Sequence, residues 1–242
     1  MQKTLIKHFI LSLLLFAPAL SSAQMFSVGE ESERAANPFP PYVRAGVIPI
    51  DFSYQGNPSV ITNGTSLAFT GLASHLAYES RGLNIGISHG GDWTGLDNRN
   101  YFHLDLSFIN PFYLIRRPNF GAGVPIQLGT KITNVRSDAI GDEFSQTNLY
   151  AGAGVIAQLI FPEKIGFTAQ LIPSYGFSTA SGGLIGGNVF SLKGKARINF
   201  YNLIFGRNVS LGYDYIYDTY NIDGEEYDYD YSGHALTLGI SL

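Results

Sequence analysis

The sequence predicts an all-β protein, a closed antiparallel up-and-down transmembrane β-barrel of about ten strands. Three observations predict it. First, segment 189–201 splits by parity into Phe190, Leu192, Gly194, Ala196, Ile198 and Phe200 against Ser191, Lys193, Lys195, Arg197 and Asn199. A strand sends alternate side chains to opposite faces, so this segment has one apolar and one basic face. Second, the 242 residues are only 14% charged and 14% aromatic with 28 glycines. No stretch beyond the N-terminus is apolar for the roughly 18 residues that a spanning helix needs. Third, ten alternating segments are joined by connections that are in turn long and mostly short, as in spanning barrels.

At the start, Lys3 and Lys7 precede an apolar run from Phe9 to Leu20 and then Ser21-Ser22-Ala23. This pattern predicts a secretory signal peptide over 1–23, cleaved after Ala23. Its loss leaves 13 basic against 19 acidic side chains, a formal charge of -6. An acidic chain with one basic strand argues against a nucleic-acid partner. The absence of cysteine excludes disulfides, thiolate metal sites and a Cys nucleophile. Residues 24–43 are polar and Pro-rich and read as an extended lead-in.

The barrel is expected over 44–242. Its first strand, Arg44 to Gln55, puts Ile48, Ile50, Phe52 and Tyr54 on one parity and Pro49, Asp51 and Ser53 on the other. Pro49 predicts a bulge or a locally unpaired position. In Leu67 to Tyr78 the apolar parity switches near Thr70-Gly71, as a bulge would make it. Below that, Leu72, Leu76 and Tyr78 oppose His75. Leu83, Ile85 and Ile87 follow against Asn84, Gly86 and Ser88, and then Phe102, Leu104, Leu106 and Phe108 against Tyr101, His103, Asp105 and Ser107.

A connection carrying Phe112, Tyr113, Arg116 and Arg117 is expected before Gly121 to Val135, where Val124, Ile126, Leu128 and Ile132 oppose Gln127, Gly129, Lys131 and Thr133. A hairpin over 147–178 turns at Pro162-Glu-Lys. Strand 208–220 sets Val209, Leu211, Tyr213, Tyr215 and Tyr217 against Ser210, Asp214 and Asp218. The last strand, Tyr231 to Leu242, alternates Leu236, Leu238, Ile240 and Leu242 with Thr237, Gly239 and Ser241.

That last segment resembles the closing strand of bacterial outer-membrane β-barrels, with Leu242 where the usual terminal residue is aromatic. The resemblance is architectural and covers roughly residues 44 to 242. It implies the outer membrane as location, its lipids and the barrel-assembly machinery as partners, and termini on the periplasmic side.

Lipid offers no hydrogen bonds, so a sheet spans only by closing on itself, and a charge at mid-depth on its outer face costs about 2–4 kcal/mol. The register therefore assigns Asp51, His103, Asp105, Lys131, Lys193, Lys195, Arg197 and Asp214 to the lumen. It expects the cations to approach Asp51, Asp105 and Asp214, the last from the neighbouring strand.

Chemistry beyond this is sparse. His103, Asp105 and Ser107 have the residue types of a hydrolytic triad, but members two apart on a strand lie about 6–7 Å from one another. The motifs of catalytic barrels such as the omptin proteases and outer-membrane lipases are not found. The acidic run Asp223 to Asp230 lacks the spacing of a calcium loop and reads as a solvated loop. Gly121-Ala-Gly and Gly152-Ala-Gly lack the Lys-Ser/Thr of a phosphate cradle. No cofactor, metal site or enzymatic activity is expected. The sequence leaves a structural or adhesive barrel, or a narrow pore for small polar or anionic solutes. Its alternatives are an outer-membrane lipid or peptide hydrolase, and an exported soluble lipid-binding barrel with the opposite polarity, apolar inside and polar outside.

Overall fold

The computed structural model describes residues 40–54, 69–137, 142–161, 164–180, 185–221 and 228–242. The segment 1–23 expected to be a signal peptide, most of the Pro-rich lead-in and positions 222–227 of the acidic loop lie outside them. Eleven strand segments form one antiparallel sheet: β1 (Tyr42–Tyr54), β2 (Phe69–Glu79), β3 (Leu83–Gly90), β4 (Arg99–Arg117), β5 (Phe120–Ser137), β6 (Asp142–Ala153), β7 (Val155–Phe161), β8 (Ile165–Ala180), β9 (Ile185–Ile204), β10 (Arg207–Asn221) and β11 (Tyr229–Ser241).

Apart from β6 and β7, each segment pairs with its neighbours in the chain, and β1 pairs with β11, so the sheet closes. Segments β6 and β7 are two halves of one strand. Both pair with β5 and β8 in an unbroken register on either side of Gly154. The described residues therefore form a ring of ten strands. Closure satisfies every edge, which is what lets a sheet stand in lipid.

The break at Gly154 has a chemical cause. Gly154 stands opposite Pro125 on β5 and its neighbour Ala153 stands opposite Pro173 on β8, and neither proline has an N–H to give. Gly154 instead donates its own N–H to the Pro125 carbonyl at 3.1 Å. Pro49 acts similarly on β1. Pairing with β11 skips Ile48 and Pro49 without a change of register, while Pro49 stays opposite Leu72 on β2.

The outward face of the turn-side half is an apolar belt. Leu76, Phe108, Ile126, Leu128, Leu171, Ile198, Leu211, Leu236 and Leu238 are all exposed. The register expected from sequence holds on every strand except the first. On β1 the inward residues are Tyr42, Arg44, Ile48, Ile50 and Phe52, and Asp51 is outward and exposed. Asp51 is thus not a lumen residue.

The reversal has a physical reason. At the loop ends of β1, β2, β4, β5, β9, β10 and β11 the polarity inverts, whereas β8 keeps Ser178 inward and Phe177 outward. Ile48, Phe52, Phe69, Tyr101, Val135, Val189, Tyr220, Tyr229 and Tyr231 point inward and are buried, while Asp51, Ser53, Thr70, Asn100, Arg136 and Asn188 are exposed outside. Water, not lipid, bathes the outside of this part. Its stability comes from burying apolar groups inward, at about 25 cal/mol per Å². The same inversion explains β2, where Phe69 and Ala73 share one face and no bulge occurs at Thr70-Gly71.

A second correction concerns the connection expected around Phe112 to Arg117. It is strand: β4 runs to Arg117 and turns at Pro118-Asn119. Pro111, which reads as a breaker, sits opposite Pro125 beyond the last β3–β4 pair, Leu83–Phe108. Its missing donor interrupts no ladder with β3. A bulge between Tyr113 and Ile115 turns Ile115 onto the outer face beside Leu114, and both are exposed.

Candidate functional site: the charged lumen

The lumen is filled in layers. Nearest the loops is the apolar core just described, joined by Leu96 from the β3–β4 connection, which is 3% exposed. Aromatic rings close it. Tyr220 stacks on Tyr229 with centroids 4.0 Å apart, Tyr229 packs on Phe52 at 5.0 Å, and the Tyr101 hydroxyl donates to that of Tyr231 at 2.9 Å. The ring of His103 stacks on Tyr231 and Tyr101, and its Nδ1 lies 3.0 Å from Thr133 Oγ1. His103 therefore belongs to the floor of this plug.

The middle layer holds two ion pairs that cross the barrel. Lys131 on β5 bonds Asp218 on β10 at 2.5 Å and Ser191 on β9 at 2.8 Å. Lys193 on β9 pairs with Asp105 on β4 and donates to the Tyr150 hydroxyl at 2.6 Å. That hydroxyl donates to Asp105 at 2.9 Å and accepts from Gln127 at 3.1 Å. Gly129 makes room for it: a Cβ there would stand 2.4 Å from the Tyr150 hydroxyl oxygen. Asp105 is thus engaged by Lys193 and Tyr150, and His103 by Thr133. Ser107 is buried on the same face, but the three do not form a relay.

The layer nearest the turns is organised by Glu79, the last residue of β2. It pairs with Arg44 on β1, with Lys195 at 2.8 Å and with Arg197 at 2.6 Å. Arg197 also bonds Asp214 at 2.6 Å and the carbonyls of Ala196 and Tyr213, each at 3.0 Å. Arg44 reaches Ser210 at 3.1 Å. A cavity of about 60 Å³, the room of a few waters, lies between this layer and the middle one. His75, Glu79, Asp105, Lys193, Lys195 and Asp214 border it.

Of the charged residues assigned to the lumen from sequence, His103, Asp105, Lys131, Lys193, Lys195, Arg197 and Asp214 stand inside. The approach of Asp214 to the basic strand takes place through Arg197. Three lumen charges were missed as members of the site. Glu79 reads as the start of a turn, and Asp218 stands on the right parity without a visible partner. Arg44 shares the parity of Ile48, Ile50 and Phe52. An arginine on a face assigned to lipid was the signal that could have exposed the reversed register of β1.

Lys131, Lys193, Lys195 and Arg197 are each bonded to a carboxylate, and among the described residues no cluster of His, Asp and Glu could hold a metal.

An apolar belt, a polar lumen, closure, and short turns at one end with longer connections at the other define an outer-membrane β-barrel. No protein-family model matches the chain, and no curated protein matches it by sequence. Among solved structures it is similar to the outer-membrane protease OmpT of Escherichia coli, at 10% identity over 84% of this chain and 95% of that one, with a TM-score of 0.45. It is also similar to Ail, the attachment invasion locus protein of Yersinia pestis, at 11% identity over 84% and 99% and a TM-score of 0.30. OprG of Pseudomonas aeruginosa follows at 10% identity over 84% and 96% and a TM-score of 0.31. No reading of activity or ligand rests on these likenesses.

Proposed function

We propose that this chain is a closed, non-catalytic barrel of the outer membrane, with a structural or adhesive role carried by its outer surface rather than by its lumen. It is exported behind a cleaved signal peptide. One observation carries the reading: ion pairs tie β4 to β9, β5 to β10 and β2 to β9 straight across the interior. A solute would have to break them, and breaking one buried pair costs about 3–5 kcal/mol. Beyond them it would meet Phe52, Tyr101 and Tyr229, each at most 1% exposed. Ten strands leave limited room between a filled eight-strand barrel and an open porin, and here long side chains take that room.

Bilayer conductance of the refolded chain tests the proposal. The expected record is a flat baseline for the wild type and for Lys195→Glu. Discrete openings of the wild type whose anion preference reverses in Lys195→Glu would establish the narrow pore instead.

A further inference from the structure

Below the break at Gly154, the outer face of β4, β5, β7 and β8 is hollowed into a groove of about 470 Å³. Its walls are Leu114, Ile115, Val155 and Leu171, and small residues (Ala122, Ala157 and Ala169) form its floor. Register explains the hollow. Ala157 pairs with Ala169 on β8 and with Ala122 on β5, so three methyl groups lie side by side where neighbouring rows carry Leu and Phe. The groove is continuous with the apolar belt, and Leu114 (77% exposed) and Val155 (62%) have no apolar cover.

The groove opens downward onto positive charge. Arg117 follows Ile115 by two residues on β4 and so lies on the same face, about 6–7 Å further down. Its cross-strand partner is Phe120. On the adjoining hairpin, Lys164 is exposed in the turn between β7 and β8. Around the turn end of the barrel, the exposed charged side chains among the described residues are Arg81, Arg116, Arg117, Lys164 and Arg207, all cationic.

We infer that this groove is a binding site for an anionic phospholipid of the periplasmic leaflet. One acyl chain lies along the three alanines, and the phosphate meets Arg117 and Lys164. The volume falls in the range of small-molecule sites. Guanidinium and phosphate form strong paired hydrogen bonds, and basic pockets at a membrane surface select acidic head groups. The inference is independent of whether the lumen conducts.

Native mass spectrometry of the detergent-solubilised full chain, titrated with phosphatidylglycerol or phosphatidylethanolamine of the same acyl chains, tests it. The wild type should hold phosphatidylglycerol at about fivefold or more lower concentration than phosphatidylethanolamine, the order expected for one interfacial cation. Arg117→Gln and Lys164→Gln, both at exposed positions, should each reduce that preference and together abolish it. Ala157→Leu should fill the floor and reduce adducts of both lipids, with folding checked by gel mobility of boiled against unboiled protein and Ala169→Leu as the replacement should it misfold. Equal titration of the two lipids by the wild type, or full phosphatidylglycerol binding by a folded groove-filled variant, would overturn the assignment.

Discussion

Glu79→Gln is the most informative single change in the lumen. The carboxylate is 16% exposed and is the shared partner of Arg44, Lys195 and Arg197. The amide keeps the shape but removes the charge. Arg197 still has Asp214 at 2.6 Å. Arg44, at 2% exposure, keeps the Ser210 hydroxyl and the face of the Tyr42 ring but no bonded carboxylate. Removing one partner of a buried pair costs about 3–5 kcal/mol, chiefly because a charge is left uncompensated. Lys195 is 23% exposed and can regain water, which places the expected loss near the lower end, about 3 kcal/mol. The measurement is urea unfolding in lipid vesicles followed by circular dichroism. If the loss comes from stranding Arg44, then Glu79→Gln with Arg44→Met should recover more than about 1 kcal/mol, since residues in one network couple by that order. Stability of the single variant within about 0.5 kcal/mol of wild type, the usual range for a surface change, would refute the account of Glu79 as the centre of the layer.

Two further outcomes follow from the same geometry. A spin label on Cys placed at Asp51 should be quenched by an aqueous relaxation agent, and one at Leu238 by oxygen dissolved in lipid; the same quencher preference at both sites would remove the evidence for an inverted outer segment. Gly129→Ala should destabilise the barrel by about 1–3 kcal/mol through overpacking, because the new methyl group meets both the Tyr150 hydroxyl and the Leu106 carbonyl. In a double-mutant cycle with Tyr150→Ala, which removes both the hydroxyl and the ring carbon that a Cβ would meet at 2.5 Å, the cost of Gly129→Ala should shrink, and a cost unchanged by Tyr150→Ala would show that this side chain is not what Gly129 accommodates.

Much of the barrel is legible without coordinates because strand parity is a local property. Lys193, Lys195 and Arg197 alternate with Leu192, Gly194, Ala196 and Ile198, and the two solvents of a spanning sheet assign the faces. Seven of the eight charged residues assigned to the lumen stand there for that reason. What parity cannot supply is height. Asp51 lies outside because β1 rises into the part of the barrel surrounded by water, where the rule that puts apolar residues outward is reversed. Nothing in the ten residues around Asp51 marks the level at which lipid ends. Across the sheet, Phe69, Val135, Val189 and Tyr231 mark it together.

The partners inside the lumen are likewise a product of closure. Lys131 meets Asp218 across 87 residues of chain, Lys193 meets Asp105 across 88, and Arg197 meets Glu79 across 118. Each pair lies on strands that share no ladder. The sequence by itself determined the strands, their polarity through the bilayer and the basic row on β9. Only the tertiary structure decided which carboxylate faces which cation, that aromatic side chains seal the outer end, and that three alanines on neighbouring strands line up into a groove. The cause is the same in each case: alternation is set between adjacent residues, whereas the depth of a residue and what stands across the lumen depend on the tilt and register of the whole ring.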